Sequence, residues 1–156
     1  MSPGMYFEDF DIGYRFRTAG RTLFEADISA FIGVAGIYEE LYTNIEYVTK
    51  GSLFGRRFAP GPLTFAMAEG LVIQTGRFHS TGMALLQAEI QFLSPLFVGD
   101  TIFVSVIATS KRETSKSDRG IVTFDHEVQK STGEVVMKVR KTRMLRRRSE
   151  DDGRVV

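Results

Sequence analysis

Phe58-Ala59-Pro60-Gly61-Pro62-Leu63-Thr64-Phe65-Ala66-Met67-Ala68-Glu69-Gly70-Leu71-Val72-Ile73 decides the fold, because it reads as a helix that is apolar almost all the way round. A helix without a wet stripe has to be wrapped by other elements. Pro62 suits the first turn, where its missing N–H and fixed φ cost nothing, and Gly76 marks the stop. Ala66, Ala68 and Gly70 are small, so another layer can come close. The chain beyond Gly76 is rich in alternating β-branched and aromatic positions, which makes that layer a sheet. Inside the greasy helix sits one carboxylate, Glu69.

Working outward toward the C-terminus, the apolar period changes from 3.6 to 2. Met83 to Leu93 places Ala84, Leu86, Ala88, Ile90 and Phe92 on one face and Gln87, Glu89 and Gln91 on the other, as a half-buried strand does. Ser94-Pro95 and Gly99-Asp100 frame the turn out of it. Thr101 to Ser110 is the next strand, a polar loop runs from Lys111 to Gly120, and Ile121 to Lys130 is the third strand. Thr132-Gly133 closes a hairpin. That turn sets Asp125 opposite Arg140, Glu127 opposite Lys138, Val128 opposite Met137 and His126 opposite Val139, and the agreement of charge and apolarity favours this register over a slip by one.

Working outward toward the N-terminus, Gly51 to Arg57 is a loop bearing glycine and arginine, and Ile37 to Lys50 is rich in tyrosine and acids without a clear period. Glu25 to Val34 has helical spacing, with Gly33 and Gly36 at its exit. Arg15 to Phe24 reads as a strand broken near Gly20, and Tyr6 to Ile12 as a short strand or an ordered arm. The result is an α+β domain: an antiparallel sheet of about five or six strands, a usual size, curled round one long helix. Such a sheet leaves its edges bare, and a dimer that continues the sheet is a natural remedy.

The totals restrict function. The chain of 156 residues fits one domain with a sizeable core, and its net charge of +1 gives no overall field toward nucleic acid or anionic membrane. Absence of cysteine removes disulfide, thiolate and zinc-thiolate chemistry. His79 and His126 lie far apart and form no metal site. No long apolar run is present, and the first ten residues carry acids where a signal peptide carries cations, so a cytoplasmic setting is expected. The basic run Lys138, Arg140, Lys141, Arg143, Arg146, Arg147 and Arg148 reads as a solvated face, partly neutralised by Asp125, Glu127 and the acids of the tail. Its cations lack the interleaved aromatics of a nucleic-acid surface.

Taken as an ordered series, Tyr6-Phe7-Glu8-Asp9-Phe10, Ile12-Gly13, Arg21-Thr22, Ala26-Asp27 with Phe31, Phe54-Gly55-Arg56-Arg57, Pro60-Gly61-Pro62-Leu63 and Phe92-Leu93-Ser94-Pro95-Leu96-Phe97-Val98-Gly99-Asp100 resemble the MaoC-like dehydratases. The resemblance implies a single hot-dog domain over 1–148, while the stretch 149–156 by itself reads as a disordered tail. It also implies a homodimer or a heterodimer with a homologue, and an acyl-CoA or other pantetheine thioester as ligand. Active members add water to a 2-enoyl thioester, or remove it from the 3-hydroxyacyl product, without a cofactor or a metal. They do so with an aspartate and a histidine five residues apart. Ile37 and Tyr42 stand at those positions here, after the retained Gly36.

The remaining candidates follow from chemistry. The Gly61 amide, at the positive start of the central helix after Pro60, suits a thioester oxygen on which negative charge builds. Ile37, Tyr42, Gly61 and the strand end Phe92, Ser94 and Pro95 would line the pocket, and Arg57 with Arg56 would meet the CoA phosphates. Burial is expected to raise the Glu69 carboxyl toward the range useful to a general base. Tyr42 offers a proton or a hydrogen bond in place of the histidine. His126, among Val122, Phe124 and Val128, reads as a core histidine with a satisfied ring. Besides the hydratase, two readings stay open: a non-catalytic acyl-CoA-binding subunit, and a thioesterase using Glu69.

Overall fold

The computed structural model describes residues 3–149. Of the two expectations for Tyr6 to Ile12, the strand is absent and the segment is ordered as a 3-10 turn, Phe7–Asp9, in which the Tyr6 N–H donates to the Asp9 carboxylate at 2.8 Å. Tyr6, Phe7 and Phe10 are buried, so this segment is a plug in the core. The predicted broken strand is two short strands, β1 (Arg15–Arg17) and β2 (Arg21–Thr22). α1 (Glu25–Ala35) begins where the Asp27 carboxylate accepts the Phe24 N–H at 2.9 Å, and it ends at Gly36, whose φ of 68° lies in the left-handed region.

Between α1 and the central helix the sequence showed no period, and the structure holds two short helices there. α2 (Glu40–Thr43) and α3 (Ile45–Gly51) are each started by a side chain, Glu39 accepting from Leu41 N–H and Asn44 from Tyr47 N–H. Local caps, rather than an amphipathic face, make these helices. The central helix is α4 (Gly61–Gln74), with Pro62 in its first turn.

β3 (Gly82–Phe92), β4 (Thr101–Glu113), β5 (Arg119–Lys130) and β6 (Val135–Arg146) complete a six-stranded antiparallel sheet of order β1-β4-β5-β6-β3, with β2 also paired to β4. The polar loop is shorter than expected because β4 runs on to Glu113 and β5 starts at Arg119. The β5–β6 register is the one derived from charge: Asp125 faces Arg140, His126 Val139, Glu127 Lys138 and Val128 Met137. Shifts of register at Ala108/Ser110, Val128/Gln129 and Leu85/Gln87 bend the strands so that the sheet curls over α4. Leu63, Met67, Ala68, Leu71 and Val72 of α4 pack in one core with Val104, Val106, Phe124, Met137 and Leu145. Phe10 stacks on Phe78 at 5.5 Å, and Phe124 meets both edge-on.

Two expectations fail in an instructive way. β3 is exposed along its whole length, not half-buried, because it is the last strand of the sheet and nothing lies beyond it. α4 is wrapped on one side alone: Pro62, Ala66 and Ile73 are exposed and Glu69 and Gly70 half-buried. Ile73, Met83, Leu85, Leu86, Ile90 and Phe92 therefore keep between 39% and 51% of their surface in water.

Candidate active site

The segment before α4 is anchored, so the start of the helix is a fixed point. Ala59 N–H donates to Leu96 C=O at 2.8 Å, and Phe58 forms a bridge with Phe97. Leu63 and Thr64 N–H turn back to Pro60 C=O. Pro62 has no N–H, and the Gly61 N–H donates to no acceptor among the described residues. Phe92, at the end of β3, lays its ring over this point: a methyl group on Gly61 would stand 2.8 Å from its Cζ. The structure thus brings together Pro60, Gly61 and Phe92.

Tyr42 reaches the same neighbourhood from α2. Its ring meets Phe58 edge-on at 5.7 Å, Phe58 meets Phe54 at 4.9 Å, and the Arg56 guanidinium lies 3.7 Å above Phe97. Burial, and then the Glu39 carboxylate, push the Tyr42 phenol above its ordinary value. It stays protonated at neutral pH, able to donate a hydrogen bond and unable to act as a base. Ile37 is half-buried just past the left-handed Gly36. Ser94 and Pro95 are half-buried too, but the Ser94 hydroxyl is taken by the Glu134 carboxylate. Arg57 is likewise engaged, its Nε 2.8 Å from Glu25, which leaves the exposed Arg56 as the freer cation of the pair.

Glu69 differs most from expectation. Burial does push its carboxyl up, but Lys141 and Arg143 outweigh burial and hold it below the ordinary value. Lys141 Nζ lies 2.6 Å from Oε2, and an Arg143 terminal nitrogen donates to Oε1. A carboxylate held by two cations is a poor proton acceptor, and no local pattern signals it because the partners lie on β6, over seventy residues away. His126 is also corrected. It is buried, but neither ring nitrogen has a partner, and burial with Lys141 and Arg143 nearby drives its pKa well below 6.5.

The basic run is neutralised more widely than the register implied. Asp125 pairs with Arg140 and Glu127 with Lys138, while Glu8 holds Arg147 and Asp9 holds Arg148. The acids of the tail from Glu150 lie outside the described residues. A trough of about 740 Å³ on the face of the sheet turned away from α4 is lined by the Asp125–Arg140 and Glu127–Lys138 pairs among others and lies apart from Gly61. Among the described residues no three acidic, histidine or cysteine side chains converge as a metal site, and no helix is long and apolar enough to cross a membrane.

Known proteins share this fold. The family described as MaoC like domain matches residues 9–130. Protein MaoC of Klebsiella aerogenes is 34% identical over 118 residues, 73% of this chain and 33% of that protein, so the chain spans about a third of its length. The monoamine oxidase regulatory protein from Archaeoglobus fulgius superposes with a TM-score of 0.86 at 30% identity, covering 94% of this chain and 97% of that one. A MaoC-like dehydratase from Rhodospirillum rubrum gives 0.84 at 27%, covering 94% and 99%. At lower identity the arrangement is shared with a protein described as a double hotdog fold, with a TM-score of 0.78 at 20%, and the fold of this chain is the hot-dog fold.

Proposed function

Since the chain belongs to the MaoC-like domain family, we propose that it binds a 2-enoyl or 3-hydroxyacyl thioester of coenzyme A or another pantetheine carrier, with the thioester oxygen at the Gly61 amide. The observation that carries this reading is the unspent Gly61 N–H at the start of a helix that is anchored at Ala59 and packed on one side against the core. A donor fixed before the ligand arrives stabilises a developing oxyanion without reorganisation. Admitting the ligand requires the half-exposed Phe92 ring to turn aside from Gly61. A second copy, or a homologue, laid against β3 and the open flank of α4 would roof the site and cover the apolar residues exposed there.

The reaction class that fits the family is hydration of the enoyl thioester: the oxygen of water adds to C3, the Tyr42 phenol gives its proton to C2, and the proton released by the water returns to the Tyr42 oxygen. A second reading has an observation of its own in favour. Ile37 cannot ionise and Tyr42 stays protonated, so the chain acts as a non-catalytic acyl-thioester-binding subunit beside a competent homologue. The thioesterase reading loses ground because Glu69 is ion-paired on both oxygens.

Calorimetric titration with crotonyl-CoA and octanoyl-CoA, together with loss of enoyl absorbance, tests the proposal. Binding with turnover supports the hydratase, and binding without turnover the subunit. Gly61→Ala puts a methyl group beside the amide and meets only the far end of the half-exposed Phe92 ring, so the protein folds but crowds the ligand away from the N–H and loses affinity by about fivefold, the worth of one neutral hydrogen bond of about 1 kcal/mol. Unchanged affinity removes the Gly61 amide from the site.

A further inference from the structure

The Gly61 amide owes its place to a neighbouring loop as much as to its own helix. Ala59 N–H donates to Leu96 C=O at 2.8 Å and Phe58 bridges Phe97, so the approach to α4 hangs on the segment 94–100. One side chain grips that segment at both ends. Lys130 Nζ, at the end of β5, lies 3.0 Å from Asp100 Oδ2 and 3.0 Å from Glu134 Oε2. Asp100 Oδ2 also accepts the Phe97 N–H at 2.9 Å, and the Glu134 carboxylate takes the Ser94 hydroxyl. The hairpin explains why Lys130 and Glu134 meet: Gly133, with φ of 91°, turns the chain, and Lys130 N–H donates to Glu134 C=O at 2.8 Å.

The Lys130 side chain is 8% exposed, an unusual burial for a lysine. Burial presses its ammonium down, but Glu134 and Asp100 outweigh burial and hold it above its ordinary value, so it is charged at neutral pH. An apolar side chain would fill the same space without the cost of desolvation. What the charge adds is a fixed arrangement, because hydrogen bonds to a charged group are shorter and about twice as strong as neutral ones.

We infer that Lys130 is a positioning residue for the site: it holds the loop 94–100 and, through Leu96 and Phe97, the Gly61 N–H at the place a thioester oxygen requires. The inference rests on the proposed binding of a thioester at Gly61 and deepens it by assigning what fixes the donor. The margin is small. A hydrogen bond made at about 2.9 Å is no longer one at about 3.6 Å, so a drift of less than about 1 Å removes it. Lys130 does this without touching the ligand, since its ammonium is nearly buried and already spent on two carboxylates. Without that ammonium, Leu96, 1% exposed, and the Gly99 N–H on Leu23 C=O at 2.9 Å still keep the loop folded. The Asp100 and Glu134 carboxylates then repel each other, and the two ends of the loop part.

The test is a double-mutant cycle on the full chain, read by calorimetric titration with crotonyl-CoA. Lys130→Met should lower the affinity about fivefold, the same loss as Gly61→Ala, because both remove one hydrogen bond. In the Gly61→Ala background the Lys130→Met change should cost less than about twofold, since the bond it supports is already gone. Should Lys130→Met fail to fold, Glu134→Gln supplies the second arm: its side chain is 51% exposed, so the fold is kept, and it should lower the affinity only while Gly61 is present. If the losses multiply, or if the variants bind as the wild type does, Lys130 serves the fold alone; the inference is overturned and the thioester reading stands. Failure of the wild type to bind crotonyl-CoA overturns the thioester reading and this inference with it.

Discussion

Replacing Glu69 by glutamine keeps the shape of the side chain and removes the charge that matches two buried cations. Breaking a buried ion pair by neutralising one partner costs about 3–5 kcal/mol, since the other charge is left in low dielectric. Glu69 keeps 24% of its side chain in water, which places the cost at the lower end, about 3 kcal/mol. In a chain of this size each kcal/mol lowers the melting temperature by about 2–4 °C, so Glu69→Gln should melt roughly 6–12 °C below the wild type. Urea unfolding at neutral pH, followed by circular dichroism, should show the same loss as a lower midpoint with unchanged slope. The linked pH effect has a definite sign. The folded carboxyl titrates below its ordinary value of 4.5, so its stabilisation is present above pH 4.5 and fades as the pH falls through the folded value. Glu69→Gln should lack that part of the acid limb. A loss smaller than about 1 kcal/mol, the worth of an exposed surface pair, would refute the claim that this carboxylate matches buried charge.

Two further predictions concern the core. Gly120 touches the plug, and a methyl group there would stand 2.3 Å from the Phe7 ring, which is 4% exposed; Gly120→Ala should therefore cost about 1–3 kcal/mol by overpacking, read as a lower urea midpoint. His126→Leu should stabilise the protein by about 1 kcal/mol, because it removes two buried nitrogens without partners, and a lower melting temperature would count against the neutral, unpartnered ring. Because the folded pKa of His126 lies well below 6.5, its protonation favours the unfolded chain: stability from this group is whole above pH 6.5 and declines as the pH drops below it, and His126→Leu should flatten that upper part of the acid limb.

Local pattern and global fold agree along most of this chain, and so those elements were legible. The apolar run from Leu63 to Val72, with Pro62 at its head, specifies a covered helix whatever surrounds it. The alternation in β5 and β6 and the hairpin at Gly133 fix a register that charge and apolarity both favour, since slipping by one residue would turn Val128 and Met137 outward. α2 and α3 were illegible because their stability lies in single caps at Glu39 and Asn44, with no periodic face to read.

What the sequence by itself determined, then, was the helix, the strands and the pairing of neighbours close in the chain, because each depends on periods and turns a few residues long. Tertiary structure alone decided which flank of α4 stays open, that β3 is the bare edge, and that Glu69 is clasped by Lys141 and Arg143. A charge changes its pKa through whatever lies within a few ångströms of it, and those neighbours came from the far end of the chain.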